Sequence, residues 1–411
     1  MLLILKYLKA MIETKKKRIL IFSLVYYPNF IGGAEVAIKE ITDRLGDPKE
    51  NSYDFDMVTL RLDSHLPKVE RVGNVTVHRV GWVSSHGASP DSLPWWVHIN
   101  KYTMLGTAFF KALSLHRKNK YDATWSMMAT YNSFAALFFK YTYPKVPFLL
   151  TLQEGDPIPF IKKRARPLWP LFVSIFKKAD SIQAISHYLA DFARDMGAKC
   201  PIIVVPNAVD VAHFAKDYSE SDINAAKEKL GKKEGDIFLI TTSRMVTKNA
   251  VEDIIAAMPL LPGNVKLVVA GRGYLEQTLR KQAEMLGLMD RVIFYGFLPH
   301  SEMPLYLKAC DIFIRVPISE GFGNSYPEAM AAGIPVIATP VGGIVDFLKD
   351  RETGIFAKVR DHQSIADAVM TLIKDEVLVS KIKRQAFEMV KEKYDWEIVT
   401  EEMKKIFTNL Q

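Results

Sequence analysis

The chain of 411 residues is poor in cysteine: its two, Cys200 and Cys310, lie far apart and lack the Cys/His spacing of a zinc site. Neither a disulfide framework nor a structural metal is indicated, and a reducing, cytoplasmic compartment suits this composition. The nine histidines include no His-Glu-x-x-His and no close pair, which argues against a metal held by histidines. Long apolar runs are missing too. A spanning helix needs about 20 apolar residues, and the stretch from Met1 to Ile12 is shorter and interrupted by Lys6 and Lys9. Lys15, Lys16, Lys17 and Arg18 follow the apolar part, the reverse of a secretory signal. Two readings stay open for this segment: a short amphipathic helix lying on a membrane surface, or an extension before the first strand.

What is present is globular: 49% hydrophobic and 24% charged residues exclude disorder and low-complexity sequence. Domains of about 100–200 residues make two the natural number. The formal charge of +8 is lopsided, with 28 Lys and Arg against 18 Asp and Glu through Asp210, and 26 against 28 after it. The basic surface belongs to the first half.

Apolar runs without alternation occur at 19–25, 147–152, 181–185, 202–205, 237–241, 265–270, 292–296, 312–316 and 336–338. They read as strands buried on both faces, hence as parallel strands covered by helices. Helical periodicity lies between them, as in 34–45, 251–260, 275–286 and 365–373. The fold class is α/β, two Rossmann-like doubly wound domains. The turn-forming cluster Pro206-Asn207-Ala208-Val209-Asp210 divides them into 1–206 and 207–394. Two last helices, 380–394 and 396–410, exceed the needs of one sheet, so 395–411 are expected to return to the first domain. Ligands of open α/β sheets bind at the carboxyl ends of strands, which places the site in the cleft between the sheets.

Three strand-to-helix loops carry the chemistry. The strongest is Ser319-Glu320-Gly321-Phe322-Gly323-Asn324-Ser325-Tyr326-Pro327-Glu328 after the run 312–316. Its glycines let a ligand approach the backbone, and helix-entry amides suit a phosphate. Glu320 and Glu328 flank those amides, so both carboxylates can accept hydroxyls on either side of a diphosphate, the layout of a sugar-nucleotide site. Ser325-x-x-Glu328 also reads as a capping box, with Gly333 as the helix stop. Capping does not explain Glu320, Gly321 or Gly323. The second loop places Arg244 and Lys248 four residues apart, able to neutralise a diphosphate leaving group, or else a solvated surface pair that only its place beside the carboxylate loop singles out. In the third, Gly32 and Gly33 precede a helix and offer amides to an anion or a sugar.

From about Arg18 onward the chain resembles the retaining glycosyltransferases of family 4, which have the GT-B fold. Glu320 and Glu328 reproduce that family's E-x7-E motif within EGFG…EAMA-x-G-x-PVIAT-x-x-GG, ending at Gly342-Gly343. Asn207-Ala208-Val209-Asp210, Arg244, Lys248 and Gly32-Gly33-Ala34-Glu35 extend the match. The resemblance implies a nucleoside-diphosphate-sugar donor in the second domain. Arg244 and Lys248 would hold the diphosphate, Glu328 the ribose and Glu320 the transferred sugar. Gly321, Phe322, Gly323, Asn324 and Ser325, with Gly32 and Gly33, would line the donor. The first domain would bind a glycan or lipid-linked acceptor. Transfer with retention would need no metal and no cofactor.

The chain departs from the family at Gln153, where many relatives carry a histidine near the reacting carbon. Glutamine cannot act as a base, though it can position sugar if the leaving phosphate takes the acceptor proton. Glu154, Asp156 and Asn207 are further candidates for sugar or acceptor binding. Aromatic and basic residues mingle between Trp95 and Lys178, at Trp95-Trp96, Phe109-Phe110, Phe138 to Lys140, Lys162 to Arg166, Leu168 to Phe172 and Lys177-Lys178. This mixture suits an anionic membrane face. It also suits nucleic acid, or a buried aromatic core with solvated cations. The sugar-nucleotide motifs favour the inner face of a membrane over nucleic acid. Two other functions stay open: a GT-B nucleotide-sugar epimerase, against which the E-x7-E spacing and the Arg244/Lys248 pair stand, and a non-catalytic sugar-nucleotide-binding protein, which draws only on the missing histidine.

Overall fold

The computed structural model describes residues 16–46, 52–83 and 99–410. The first sheet has eight strands in the order β3-β4-β2-β1-β5-β6-β7-β8. They are β1 (Lys17–Phe22), β2 (Tyr53–Leu60), β3 (Val69–Val72), β4 (Val75–Val80), β5 (Ala123–Met127), β6 (Phe148–Leu152), β7 (Ser181–Ala184) and β8 (Ile202–Val204). All pairs are parallel except the β3–β4 hairpin. The second sheet, wholly parallel, runs β11-β10-β9-β12-β13-β14. Its strands are β9 (Ile237–Thr242), β10 (Val265–Ala270), β11 (Val292–Gly296), β12 (Ile312–Ile314), β13 (Val336–Ala338) and β14 (Ile355–Phe356). The α/β doubly wound class is as expected. Strand order reverses between β1 and β5 and between β9 and β12, the switch points where such sheets bind ligands.

Successive residues of β1 serve two cores. Leu20 and Phe22 pack with Met104, Ala108 and Phe139 from the helices Asn100–Asn119 and Tyr131–Thr142. Ile19 and Ile21 pack with Ile38 and Ile41 of the helix Gly33–Leu45. Both faces are dry, which is why this strand shows no polar alternation.

β2, the β3–β4 hairpin, β5 and β14 are not marked by long apolar runs in the sequence. β5 reads Ala-Thr-Trp-Ser-Met and is nevertheless buried throughout. Its polar groups are satisfied internally: Thr124 Oγ1 donates to Pro147 O at 3.1 Å and Trp125 Nε1 to Thr151 Oγ1 at 2.8 Å. Ser126 Oγ lies 2.7 Å from Ser133 Oγ. Paired this way, Thr and Ser are tolerated in a core that a composition count calls polar. In β2, Asp56 lies 2.9 Å from His78 Nε2 and accepts Tyr121 Oη at 2.7 Å.

The chain crosses between the sheets twice, and the crossings touch where Val209 N donates to Tyr394 O at 2.8 Å. The helix Trp396–Asn409, capped by Asp395, then lies on the helix Gly33–Leu45. Phe407 enters the first core at ring-centroid distances of 5.2 Å from Trp125 and 6.0 Å from Tyr53. Lys17 Nζ donates to the carbonyls of Phe407 and Leu410 at 2.5 and 3.1 Å, satisfying the helix end.

Candidate functional site

Beyond β12 the chain passes through Arg315 and Glu320 into the helix Ser325–Ala331. Glu320 is buried; its Oε1 accepts the Gly321 amide at 2.9 Å, and its Oε2 is paired with the Arg315 guanidinium. Burial pulls this carboxyl toward neutrality, but Arg315 and then Lys248 outweigh it and hold the group below the usual carboxylate range. Ionised, it can only accept hydrogen bonds. The closing glycine pair has a backbone reason. Gly342 sits at φ 55°, and a Cβ there would fall 1.8 Å from Glu320 O. Gly343 N donates to that same oxygen at 3.2 Å.

Two expectations for this loop need correction. Asn324 already has helical φ and ψ of −51° and −32°, so Ser325 is the first helical residue and not the cap. The Ser325–Glu328 box does not form; Ser325 Oγ instead receives Arg315 Nη1 at 3.5 Å. Gly333, at φ 77°, ends the helix as expected. Phe322 packs its ring on Phe347 and Tyr394 at 5.1 and 5.7 Å, so the side chain belongs to the core and not to the cleft.

The loop after β9 carries Arg244, exposed, and Lys248, half-buried in the turn Thr247–Asn249. Ile318 N donates to Lys248 O at 2.9 Å, joining this loop to that of Glu320. Across the cleft comes the loop after β6. Lys248 Nζ lies 3.5 Å from Asp156 Oδ1. A Cβ on Gly155 would fall 2.6 Å from Lys248 Nζ and 3.3 Å from Glu320 Oε1. On Gly321 it would fall 2.4 Å from Glu154 O, so glycine is what lets the two domains touch here.

A neighbouring cluster is polar and neutral. Gln153 Nε2 donates to Asn207 Oδ1 at 3.0 Å, and Asn207 Nδ2 to Asn324 Oδ1 at 3.1 Å. Gly33 adjoins them, since its Cβ would meet Asn324 Nδ2 at 3.3 Å. Gly32 differs from expectation: its amide is taken by Glu35 Oε2 at 2.8 Å and is not free for an anion. Burial raises the Glu35 carboxyl, opposed by its backbone hydrogen bonds and by Arg244 across the cleft. Glu154 is held inside the first domain, with Oε1 accepting Ala129 N at 2.6 Å and Oε2 buried without a partner among the described residues. Burial pushes this carboxyl up to about 7.

Glu328 faces His300, with Oε1 3.4 Å from Nε2. That hydrogen bond raises the His300 pKa against the opposing effect of burial. The imidazole stacks on His213 at 5.6 Å. His300, Asn249 and Arg315 escape the sequence reading. Of these only Arg315 left a signal, a charge at the end of the apolar run 312–316. Among the described residues no group of three or more His, Cys, Asp or Glu could hold a metal ion.

Beside the loop of Gln153 to Asp156 lies a basic, aromatic face. Residues 157–179 contain six Lys and Arg and no acid. Phe160 and Phe110 are 52% and 68% exposed, while Phe139 and Phe172 are core. Arg164 lies over Tyr131 and Phe160 at 5.9 and 6.0 Å, and Lys101 over Tyr102 at 5.3 Å. Trp95-Trp96 and Met1 to Ile12 lie outside the described residues. Among the described residues no helix is long and apolar enough to cross a membrane.

Two family models match: Glycosyltransferase Family 4 over residues 31–213 and Glycosyl transferases group 1 over residues 222–389. An uncharacterised glycosyltransferase of Methanocaldococcus jannaschii is 25% identical over 401 residues, 93% of this chain and 95% of that protein. The alpha-monoglucosyldiacylglycerol synthase of Streptococcus pneumoniae is 33% identical over 204 residues, 47% of this chain and 46% of that protein. Among solved structures, Anabaena HepE in complex with UDP-glucose matches with a TM-score of 0.75 at 20% identity, covering 96% of this chain and all of that one. This last likeness is one of fold.

Proposed function

The chain belongs to the group 1 glycosyltransferases of family 4, with the GT-B fold, and we propose that it moves a sugar from a nucleoside diphosphate to an acceptor hydroxyl in the cleft. The observation that carries this reading is the meeting of Lys248, Glu320 and Gly155 at one point between the sheets. Arg244 and Lys248 take the diphosphate, whose charge grows as its bond to the sugar breaks. Glu320 accepts a hydroxyl of the transferred sugar, Glu328 the ribose hydroxyls, and the backbone at Gly323 to Ser325 adjoins phosphate or sugar.

Gln153 and Asn207 line the acceptor side, Asn207 reaching Asn324 of the donor loop, with Asp156 beside Lys248. Gln153 cannot take a proton. The acceptor proton passes to the departing phosphate oxygen while the acceptor oxygen bonds to the anomeric carbon on the same face, so configuration is retained. Charge neutralisation falls to Arg244 and Lys248, and no step calls for a metal ion. The pneumococcal relative is named for a glucosylated diacylglycerol. With the basic, aromatic face beside Gln153, this favours a lipid-linked acceptor at the inner face of an anionic membrane.

The test is release of nucleoside diphosphate from a panel of nucleotide sugars in the presence of a chelator, with the product anomer read by proton NMR. Release with retained configuration is expected. Interconversion of the free donor sugar would mark an epimerase, and binding without release a non-catalytic protein.

A further inference from the structure

Arg315 is a buried charge that the donor motif leaves unexplained. It follows β12 directly and is 8% exposed. Its Nη2 meets Glu320 Oε2 and also donates to Asn249 Oδ1 at 3.0 Å, while Nη1 lies 3.5 Å from Ser325 Oγ. Asn249 in turn donates Nδ2 to Arg244 O at 2.7 Å. The guanidinium lies 5.5 Å from the ring centroid of Tyr326, whose Oη donates back to Arg315 O at 2.9 Å. One planar fork thus touches the loop of Glu320, the loop of Arg244 and Lys248, and the first turn of the helix Ser325–Ala331.

We propose that Arg315 is a positioning residue for donor turnover: it aims the Glu320 carboxylate, with Oε2 held inside the domain and Oε1 toward the sugar, and through Asn249 sets the Arg244–Lys248 loop against it. The inference rests on the roles given above to Glu320 and Lys248. Lysine is no substitute, because a single ammonium cannot reach Glu320, Asn249 and Ser325 in one plane.

The charged and titratable groups around Glu320 come from four elements. They are Arg315 at the end of β12, Lys248 after β9, Asp156 and Glu154 after β6, and Tyr326 and Glu328 from the following helix. With Arg315 removed, burial favours protonated Glu320, and only Lys248 and the Gly321 amide oppose it.

The experiment is the pH dependence of kcat for donor turnover between about pH 5 and pH 8 in wild type, Arg315→Met, Arg315→Lys and Glu320→Gln, with folding checked by circular dichroism. Wild type is expected to stay flat on the acid side. Arg315→Met should lose about tenfold or more in kcat from the alkaline to the acid end, one pKa unit being one decade. Arg315→Lys should keep the flat profile at a kcat lower by about tenfold. Should Arg315→Met fail to fold, the lysine variant decides, and wild-type kcat in it overturns the proposal. Glu320→Gln inactive while Arg315→Met keeps the wild-type rate and profile refutes Arg315 alone. Glu320→Gln as active as wild type refutes the reading of Glu320 beneath it.

Discussion

Glu154 shows at the scale of one residue how burial, not residue type, sets a role. An acid two positions from Asp156 and beside Gln153 reads as an acceptor ligand, yet one oxygen is bound to Ala129 N and the other is orphaned. A buried, half-satisfied carboxyl prefers to be neutral. Its folded-state value is about 7 against an ordinary 4.5, so the native state binds the proton more tightly than the unfolded chain. Stability from this group is therefore full below about pH 4.5 and declines as pH rises to about 7. Glu154→Gln keeps the acceptor oxygen for Ala129 and removes the ionisation. The variant should be more stable than wild type by about 3 kcal/mol above pH 7, the gain shrinking to under about 1 kcal/mol near pH 5. Urea melts at the two pH values decide it, and a gain independent of pH would contradict it.

Glu320, Glu328, Arg244 and Lys248 are legible in the sequence as candidates because they are charged side chains at strand-to-helix loops, and the structure brings Glu320 and Lys248 together beside Gly155. Arg315 is not, because only folding shows that its guanidinium turns inward onto Glu320. The expected Ser325–Glu328 box fails for a local reason: Asn324 already has helical dihedrals, so the helix begins without a side-chain cap.

Among elements, long apolar strands such as β9 and β10 read directly, while β5 hides because its Thr, Trp and Ser find partners on neighbouring elements. Spacing along one segment carries no information about such partners. The helix Trp396–Asn409 shows the converse. Its Trp396, Val399, Met403, Ile406 and Phe407 form an apolar stripe that buries against the first domain, beside Trp125 and Phe55. Phe407→Ala should cost about 3–5 kcal/mol of stability. Denaturant unfolding measures this, and a loss under about 1 kcal/mol would mean that the helix is not a working part of that core.

For the whole molecule, the uneven charge takes on meaning. The half holding Arg244 and Lys248 carries more acids than bases, so the proposed donor binding would rest on placed cations rather than on net charge. The surplus of the first half gathers at the acid-free segment 157–179, next to the loop of Gln153. If that face meets anionic lipid, the protein should float with vesicles rich in phosphatidylglycerol at low salt and be released by about 0.5 M salt. Equal flotation with neutral vesicles would contradict an electrostatic dock.

The proposed role of Lys248, beside Glu320 and facing Gly155 across the cleft, is to stabilise the leaving diphosphate. Its most direct test is the rate of nucleoside diphosphate release from the best donor, compared between wild type and Lys248→Ala with the fold verified. A fall of at least about 100-fold is expected, the scale of losing one charged contact to the transition state. Equal rates in the two proteins would contradict it.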